Sequence, residues 1–496
     1  MSADLDDLFT ALGRHSDALP PAGVADARRR GAARKRSRAL AAAAAVLLVL
    51  AGTGVVAWQR RHAEPILPAT SPARIRGMEP VGEPLRPPAG ETWTAPLVAG
   101  GYGYAISASP DSRVHAFDLA TGAPTWTSEP IASPAGIALS ATPTALVVQQ
   151  QAGLVFLDPR TGARLWELTS APRDLLQLHT DVLAHFDLDT GTIEAYDVRT
   201  GARLWAAAAG DERPVTITGM RTAPDGDEPG FTSAPLAVGT ADRVRPFTDD
   251  RLIEVTEKGG VRIRDIRTGK VRTTVQTQEA RPDYAIGYEG TVYTLWRDGA
   301  GSVRISATGT DPGAGPSRVV YREEYPDGPS FADFYPCGAG TVCVYERRPT
   351  GASPEIRDTY LLRIDAVGGR VLWEAPARWA LEGGTMRVGR AAPAAPTDSI
   401  VSTGTVNEAP TTAVFGPGGR LLARAEGAGG IVDDGNVLVL VRDARSGRFA
   451  VRAISTIDGR TTDLGTVPEI SGRCDWNADY LTCPSGTGLR IWKFRR

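Results

Sequence analysis

The sequence has few of the residues that usually carry enzymatic chemistry. Of its 496 residues, five are histidine and four are cysteine. It contains no His-Glu-x-x-His motif, no Gly-x-Ser-x-Gly elbow and no Walker-type phosphate loop. The formal net charge of -2 gives no case for nucleic-acid binding by the whole chain. We therefore predict a non-enzymatic protein with no catalytic residue, no metal ligand and no cofactor.

Two remaining candidates for metal binding have simpler explanations. His115 and His185 fall in strand-like stretches, which favours packing over ligation. The run Asp433-Asp434-Gly435-Asn436 lacks the alternating ligands and terminal glutamate of a calcium loop. A tight turn is the favoured interpretation of that run.

The cysteines form two close pairs in the second half of the chain. Cys337 and Cys343 bracket one plausible hairpin turn, and Cys474 and Cys483 bracket another. In an exported domain an even number of cysteines favours disulfides within these pairs. Two other pairings and four free thiols remain as alternatives. Zinc is disfavoured because neither pair has Cys-x-x-Cys spacing and no histidine is near in sequence.

A short pattern recurs along the chain and organises it. An apolar strand ends at aspartate, glycine follows four positions later, and tryptophan follows four positions after the glycine. The aspartate can accept backbone N–H groups of the turn, and glycine can adopt the positive φ that such a hairpin needs. The tryptophan can pack against a neighbouring unit. The repeat positions are Asp118, Gly122, Trp126, Asp158, Gly162, Trp166, Asp197, Gly201, Trp205, Asp365, Gly369 and Trp373.

A period of about 40 to 50 residues that carries only strand signals predicts an all-β fold, a β-propeller of four-stranded blades. Counting strand ends gives seven or eight blades, with eight favoured. A fourth copy of the turn, Asp265 to Lys270, has Thr273 where tryptophan is expected, and residues 225–229 look like an inserted loop. The final strands, around residues 480–482 and 489–494, are expected to pair with blade one and close the ring.

The aspartate, glycine and tryptophan spacing resembles the tryptophan-docking repeat of the pyrroloquinoline-quinone-like (PQQ-like) propellers. That superfamily includes quinoprotein alcohol dehydrogenases and a non-enzymatic lipoprotein of the outer-membrane β-barrel assembly machinery. The resemblance covers residues 91–496 and implies the fold more strongly than a function. The dehydrogenases carry adjacent cysteines over the quinone and a bound calcium ion. Since this sequence has no adjacent cysteines, quinone-dependent oxidation is the disfavoured alternative.

Four segments follow from composition. Residues 1–38 form a cytoplasmic segment that ends in a basic cluster, for which membrane topology is favoured over nucleic-acid binding. Residues 39–58 are uncharged and long enough for one transmembrane helix. An uncleaved anchor is favoured over a signal peptide that ends near Ala57. Residues 59–90 are proline-rich and predict an extended stalk, and residues 91–496 form an extracytoplasmic propeller.

Two functions are compatible with this organisation. The first is a single-pass membrane protein whose exported propeller binds a ligand or an envelope protein through loops on one face. The second is a transmembrane regulator whose N-terminal segment holds a cytosolic partner such as a sigma factor. The residues expected to form that partner-binding stripe are Leu5, Leu8, Phe9 and Leu12. A frayed helix without a partner is the competing interpretation of this stripe.

Overall fold

The computed structural model divides the chain into Met1–Thr70 and Ser71–Arg496, and we describe the second part. The structure describes residues 73–496 except 94–95, 110, 132–137, 151–152, 172–173, 211, 222–245, 278–281, 298–301, 312–314, 324–330, 351–352, 378–386, 391–399, 407–408, 434, 472–473 and 487. The predicted cytoplasmic segment, transmembrane helix and N-terminal stripe, and the inserted loop at 225–229, lie outside these residues. No helix within the described part is long and apolar enough to cross a membrane.

The described strands form four-stranded antiparallel units, which we number 1 to 9 in chain order. The first strand, β1 (Gly77–Leu85), belongs to unit 9. The strands of units 1 to 3 are β2 (Thr92–Trp93), β3 (Leu97–Ala99), β4 (Tyr102–Ala108), β5 (Val114–Asp118) and β6 (Pro124–Thr127); β7 (Ala138–Ala141), β8 (Leu146–Gln150), β9 (Gly153–Leu157) and β10 (Arg164–Thr169); and β11 (Leu175–Leu178), β12 (Val182–Asp187), β13 (Thr192–Asp197) and β14 (Arg203–Ala208). In unit 1, β2 and β3 both pair with β4 and share the place of one strand.

Units 4 and 5 are joined in one eight-stranded sheet, whereas unit 6 is separate. Their strands are β15 (Pro214–Arg221), β16 (Arg251–Thr256), β17 (Gly260–Asp265) and β18 (Val271–Gln276); β19 (Tyr284–Tyr288), β20 (Thr291–Arg297), β21 (Val303–Gly309) and β22 (Arg318–Glu323); and β23 (Phe331–Pro336), β24 (Thr341–Thr350), β25 (Ser353–Asp365) and β26 (Val371–Pro376).

Units 7 to 9 complete the chain, with one 3₁₀ turn at Pro417–Gly419 in unit 7. Their strands are β27 (Arg387–Arg390), β28 (Ile400–Val406), β29 (Ala409–Phe415) and β30 (Leu421–Glu426); β31 (Ala428–Asp433), β32 (Asn436–Arg442), β33 (Phe449–Ser455) and β34 (Thr461–Val467); and β35 (Asp475–Trp476), β36 (Tyr480–Ser485) and β37 (Gly488–Arg495), which pair in the order β1-β37-β36-β35.

Hydrophobic clusters fill the seams between consecutive units. Val182 and Phe186 of unit 3, for example, pack with Leu252 of unit 4. Comparable clusters lie at each seam up to units 8 and 9, and another joins Leu489 and Ile491 of unit 9 to Phe117 of unit 1. The units therefore close into a ring, which is the organisation of a β-propeller.

The position of a strand in its unit determines its burial. The second and third strands are buried on both faces because a unit packs on each side, as in β9, whose five residues are all buried. Fourth strands such as β14 alternate between exposed and half-buried residues. First strands of several successive units contact one another, so the first strands lie nearest the ring axis.

Three expectations about the ring require correction. Residues 77–85 were expected in the stalk, but they form β1, because Glu79 pairs with Lys493 and Val81 with Ile491. The final strands close the ring by pairing with β1, not with the strands of blade one. The count of seven or eight blades is not confirmed, since the described strands form nine units. Unit 9 was not counted because its fourth strand, β1, comes from the other end of the propeller sequence.

Candidate functional site

The repeat residues build the contacts between neighbouring units. Trp126 lies against Gly162 of the next unit, Trp166 against Gly201, and Trp205 against Gly269. The indole N–H groups donate to the carbonyl that follows the turn aspartate: Trp126 to Pro159 at 3.1 Å, Trp166 to Val198 at 2.8 Å and Trp205 to Ile266 at 2.8 Å. Each tryptophan thus docks on the turn of the following unit.

The aspartates and glycines stand in the turns themselves. Asp118 Oδ1 accepts the Thr121 N–H at 2.8 Å, and the side-chain and backbone hydrogen bonds of Thr121 hold the pKa of Asp118 below its usual range. Asp158 and Asp197 accept two backbone N–H groups each, and Asp365 Oδ1 accepts that of Val367 at 3.0 Å. The glycines have positive φ: Gly122 at 74°, Gly162 at 72°, Gly201 at 69° and Gly369 at 66°.

The last copy of the repeat docks differently. Trp373 lies against Gly419 in the 3₁₀ turn of unit 7, and its ring centroid is 6.2 Å from that of Phe415. In the described part of the chain its buried N–H has no hydrogen-bond partner, and here a glycine-rich 3₁₀ turn stands in place of the aspartate turn. Gly369 itself lies against Val320, since β22, the fourth strand of unit 5, carries no tryptophan.

Both predicted disulfides are confirmed. Cys337 and Cys343 are bonded across the turn between β23 and β24, and Cys474 and Cys483 join the segment before β35 to β36. Each bond ties the first strand of its unit to the second. Asp475, next to Cys474, accepts the N–H of Val98 in unit 1 and so links the two ends of the ring on its inner side.

The histidines occupy packed positions. His185 Nε2 lies 2.9 Å from Asp174 Oδ2 in a buried pair near the seam of units 2 and 3. Burial opposes ionisation of Asp174, but hydrogen bonds from His185 and two backbone amides hold its pKa below the usual range. Burial lowers the pKa of His179 to about 4. Within the described ranges, no group of three or more histidine, cysteine, aspartate or glutamate side chains could hold a metal ion.

Asp433 forms the turn that the sequence favours. Its Oδ1 accepts the Gly435 N–H at 2.9 Å and the Asn436 side-chain amide at 2.7 Å. Its other oxygen pairs with Arg496, which ties the C-terminus to unit 8.

An aromatic and acidic cluster on the inner strands is the candidate functional site. The axial cluster comprises Tyr284 at the start of β19 and Asp333, Phe334 and Tyr335 in β23. Tyr284 is 47% exposed, although it lies on a first strand. Its ring meets that of the fully buried Phe334 edge to face, with centroids 6.2 Å apart. Burial of part of the side chain raises the pKa of Tyr284, while almost half of its surface remains exposed.

The carboxyl group of Asp333 is the acidic group of the axial cluster. Burial raises its pKa to about 6, although the Phe334 N–H, the Tyr335 hydroxyl and the charge of Arg297 favour the carboxylate. The Phe334 N–H lies 2.8 Å from Asp333 Oδ1. Burial, followed by the charge of Asp333, raises the pKa of Tyr335. The cluster therefore offers an accessible aromatic face, a phenol and a carboxyl group for recognition.

Sequence reasoning missed the axial cluster because its residues do not recur with the repeat. The only local signal is the run Phe331 to Tyr335, in which an acid stands between aromatic residues. Neither the partner strand that carries Tyr284 nor its exposure can be deduced from that run. The predicted repeat residues are brought together in the seams, away from this site.

Comparisons with known proteins agree with the fold. Residues 24–184 match a family model described as the outer membrane protein assembly factor BamB, which covers about a third of the chain. No curated protein matches the sequence. The docking turns and the ring make the chain a β-propeller with PQQ-like repeats.

Similar solved structures include propellers of several kinds. BamB from Moraxella catarrhalis is 16% identical, with 84% of this chain and 98% of that chain covered and a TM-score of 0.38. The computationally designed Ika8 protein is 13% identical, with 84% and 99% covered and a TM-score of 0.40. A europium-containing methanol dehydrogenase is 14% identical, with 85% and 86% covered and a TM-score of 0.34.

Proposed function

We propose that this protein is a non-enzymatic, membrane-anchored scaffold whose extracytoplasmic propeller binds an envelope protein. The axial cluster is the observation that carries the proposal. An exposed tyrosine supported by a buried phenylalanine and flanked by hydrogen-bonding groups is typical of the anchor residues of protein interfaces. The family model that matches residues 24–184 is named for an assembly factor of the outer membrane, which supports a protein partner over a small substrate.

The localisation belongs to the same proposal. The uncharged residues 39–58 follow a basic cluster that includes Arg28 to Arg30 and Arg34 to Arg36, so the positive-inside rule favours a cytoplasmic N-terminus and an exported propeller. Two disulfides in the propeller support an oxidising compartment.

The test is site-specific photocrosslinking in native membranes. A photoreactive residue at position 284 is expected to crosslink an envelope protein, and the same residue at Leu204, which is 42% exposed on an outer strand, is expected to crosslink little. Tyr284→Ala should reduce recovery of that partner by about tenfold, whereas Leu204→Ala should leave it unchanged. Equal labelling from both positions, or oxidation of alcohols by the purified protein with added quinone and calcium, would overturn the proposal.

A second function rests on the N-terminal stripe of Leu5, Leu8, Phe9 and Leu12. In a helix these side chains would share one side, with acidic residues mostly elsewhere, as expected for a segment that docks on a cytosolic regulator such as a sigma factor. Deleting residues 1–27 should then release a cytosolic protein that copurifies with the full chain. An unchanged set of cytosolic proteins, with unchanged transcription, would exclude this function.

A further inference from the structure

The seam between units 8 and 9 lacks the docking tryptophan. The turn of unit 8 contains Gly459, and four positions later the chain carries Asp463. The Asp463 carboxylate turns back onto its own strand and accepts the Gly465 N–H at 3.0 Å. No indole therefore covers this seam from β34, in contrast to the seams that Trp126, Trp166 and Trp205 cover.

A cavity of about 350 Å³ lies at this seam. Its apolar wall includes Met78 and Pro80 of β1, Leu464 of β34 and Trp492 of β37. Arg448 and Arg490 contribute the charged part of the lining. We call this cavity the seam groove; it lies away from the axial cluster.

Within the part of the chain that the structure describes, the two guanidinium groups of the seam groove have no acidic partner. Among the described residues, neither Arg448 nor Arg490 forms an ion pair, and the buried Nε of Arg490 has no hydrogen-bond partner. The nearby Glu469 carboxylate approaches Gly447 and pairs with neither arginine. A buried donor without a partner carries a desolvation cost that a bound acceptor removes.

We infer that the seam groove binds an acidic peptide segment of a partner protein, in which a carboxylate neighbours an apolar side chain. Arginine matches a carboxylate through two parallel hydrogen bonds, and Met78, Leu464 and Trp492 supply the apolar surface beside it. Tryptophan and arginine are the side chains most enriched among interface anchors. The short apolar wall suits one or two side chains.

The peptide must bind through its side chains. Pro80 lies on β1, the outermost strand of unit 9, and has no N–H to donate to an added strand. Specificity therefore rests on the arginine pair and the apolar wall, not on β-strand addition.

The test measures binding of a fluorescein-labelled, amidated peptide of alternating glutamate and leucine to the full chain in detergent, by fluorescence anisotropy. The matched probe replaces each glutamate with glutamine. Arg448→Glu changes an exposed lining residue, and Thr466→Trp fills the groove from the exposed side of β34. Arg445→Glu is the matched control, because Arg445 is exposed in the same turn but does not line the groove.

The inference is supported if the wild type binds the glutamate peptide about tenfold more tightly than the glutamine peptide. Arg448→Glu should weaken binding of the glutamate peptide about tenfold, and Arg445→Glu should leave it unchanged. Unfolding midpoints equal to that of the wild type show that the variants fold. If Thr466→Trp fails to fold, the affinity of Arg448→Glu for the glutamate peptide still tests the inference. The inference would be overturned if the wild type bound both peptides equally or did not bind the glutamate peptide. It would also be overturned if Arg448→Glu bound the glutamate peptide as tightly as the wild type, or if Arg445→Glu lost as much affinity as Arg448→Glu. The axial partner of the proposed function is measured separately, so the two can fail independently.

Discussion

At the scale of single residues, a turn glycine that receives a tryptophan meets two demands. The first is a positive φ, and the second is room for the indole of the preceding unit. Gly201 has a φ of 69°, and a Cβ at this position would lie 2.6 Å from the indole of Trp166. Gly191 has nearly the same φ, 68°, but the nearest atom to its Cβ would be 3.7 Å away. The first demand was predicted from the turn. The second could not be, because the tryptophan comes from the preceding unit.

This pair of glycines separates backbone strain from the docking contact. We expect Gly191→Ala to lower the free energy of unfolding by about 1 kcal/mol, the cost of a left-handed alanine. Gly201→Ala should lower it by about 2–4 kcal/mol, because the methyl group also displaces the indole. Denaturant titration of both variants measures the difference. Equal losses would show that the tryptophan contact contributes no steric constraint.

Asp333 makes the stability of the protein depend on pH. Its pKa is about 6 in the folded protein, above the ordinary 3.8, so the folded state binds the proton more tightly than the unfolded state. The free energy of unfolding should therefore fall as pH rises from about 4 to about 6 and remain lower above that range. Asp333→Asn should remove this loss and be about 2 kcal/mol more stable than the wild type at pH 8.

The control for this measurement is Asp111→Asn, which changes an exposed carboxyl group in a turn. Urea titrations at a series of pH values give the free energy of unfolding at each pH. Its dependence on pH between about 4 and about 6 should match the wild type in the control and be weaker in Asp333→Asn. An unaltered slope in Asp333→Asn would mean that Asp333 is ionised without penalty.

At the scale of the strand, the loss of one docking tryptophan is accompanied by a different contact. Unit 4 carries Thr273 in place of tryptophan, and here the first strands of units 4 and 5 pair directly in parallel, Met220 with Gly287 and Arg221 with Tyr288. A Cβ at Gly287 would lie 2.5 Å from Ile253 and 2.6 Å from the Gly219 carbonyl oxygen. Glycine therefore permits the close approach of β15 and β19.

The sequence predicted these elements unequally. Asp118 to Trp205 has regular spacing, and the sequence marks the turns of the first three units because the turn chemistry is local. The parallel pairing at Gly287 and the nearness of Tyr284 to Phe334 join residues far apart in sequence, and no repeated motif marks them. β1 was assigned to the stalk because Pro80 and Pro84 are typical of linkers, whereas an outermost strand also tolerates proline.

At the scale of the whole molecule, two sets of contacts close the ring, one on its outer side and one on its inner side. On the outside, β1 pairs with β37 from Gly77 to Leu85. On the inside, Asp475 accepts the N–H of Val98. Leu85 also accepts the indole N–H of Trp93 at 2.8 Å, so the closing strand is bonded to units on both sides of the closure.

Truncation tests the contribution of β1. A chain that begins at residue 73 should retain the ring, whereas one that begins at residue 86 lacks β1 and exposes the edge of β37. We expect the second chain to lose at least about 3 kcal/mol of stability and to aggregate through that edge. Hydrogen exchange of the amides in β36 and β37 should accelerate only in the shorter chain. Equal protection in both chains would contradict a role of β1 in closure.

The origin of β1 also sets the order of events during synthesis. Glu79 leaves the ribosome long before its partner Lys493, and at roughly 5–20 residues per second the wait is about 20–80 seconds. Throughout that time β1 has no strand to pair with, and its prolines reduce the donors available for a wrong one. The first strand of the propeller is therefore the last to find its partner, and the synthesis of β37 becomes the step that allows the ring to close.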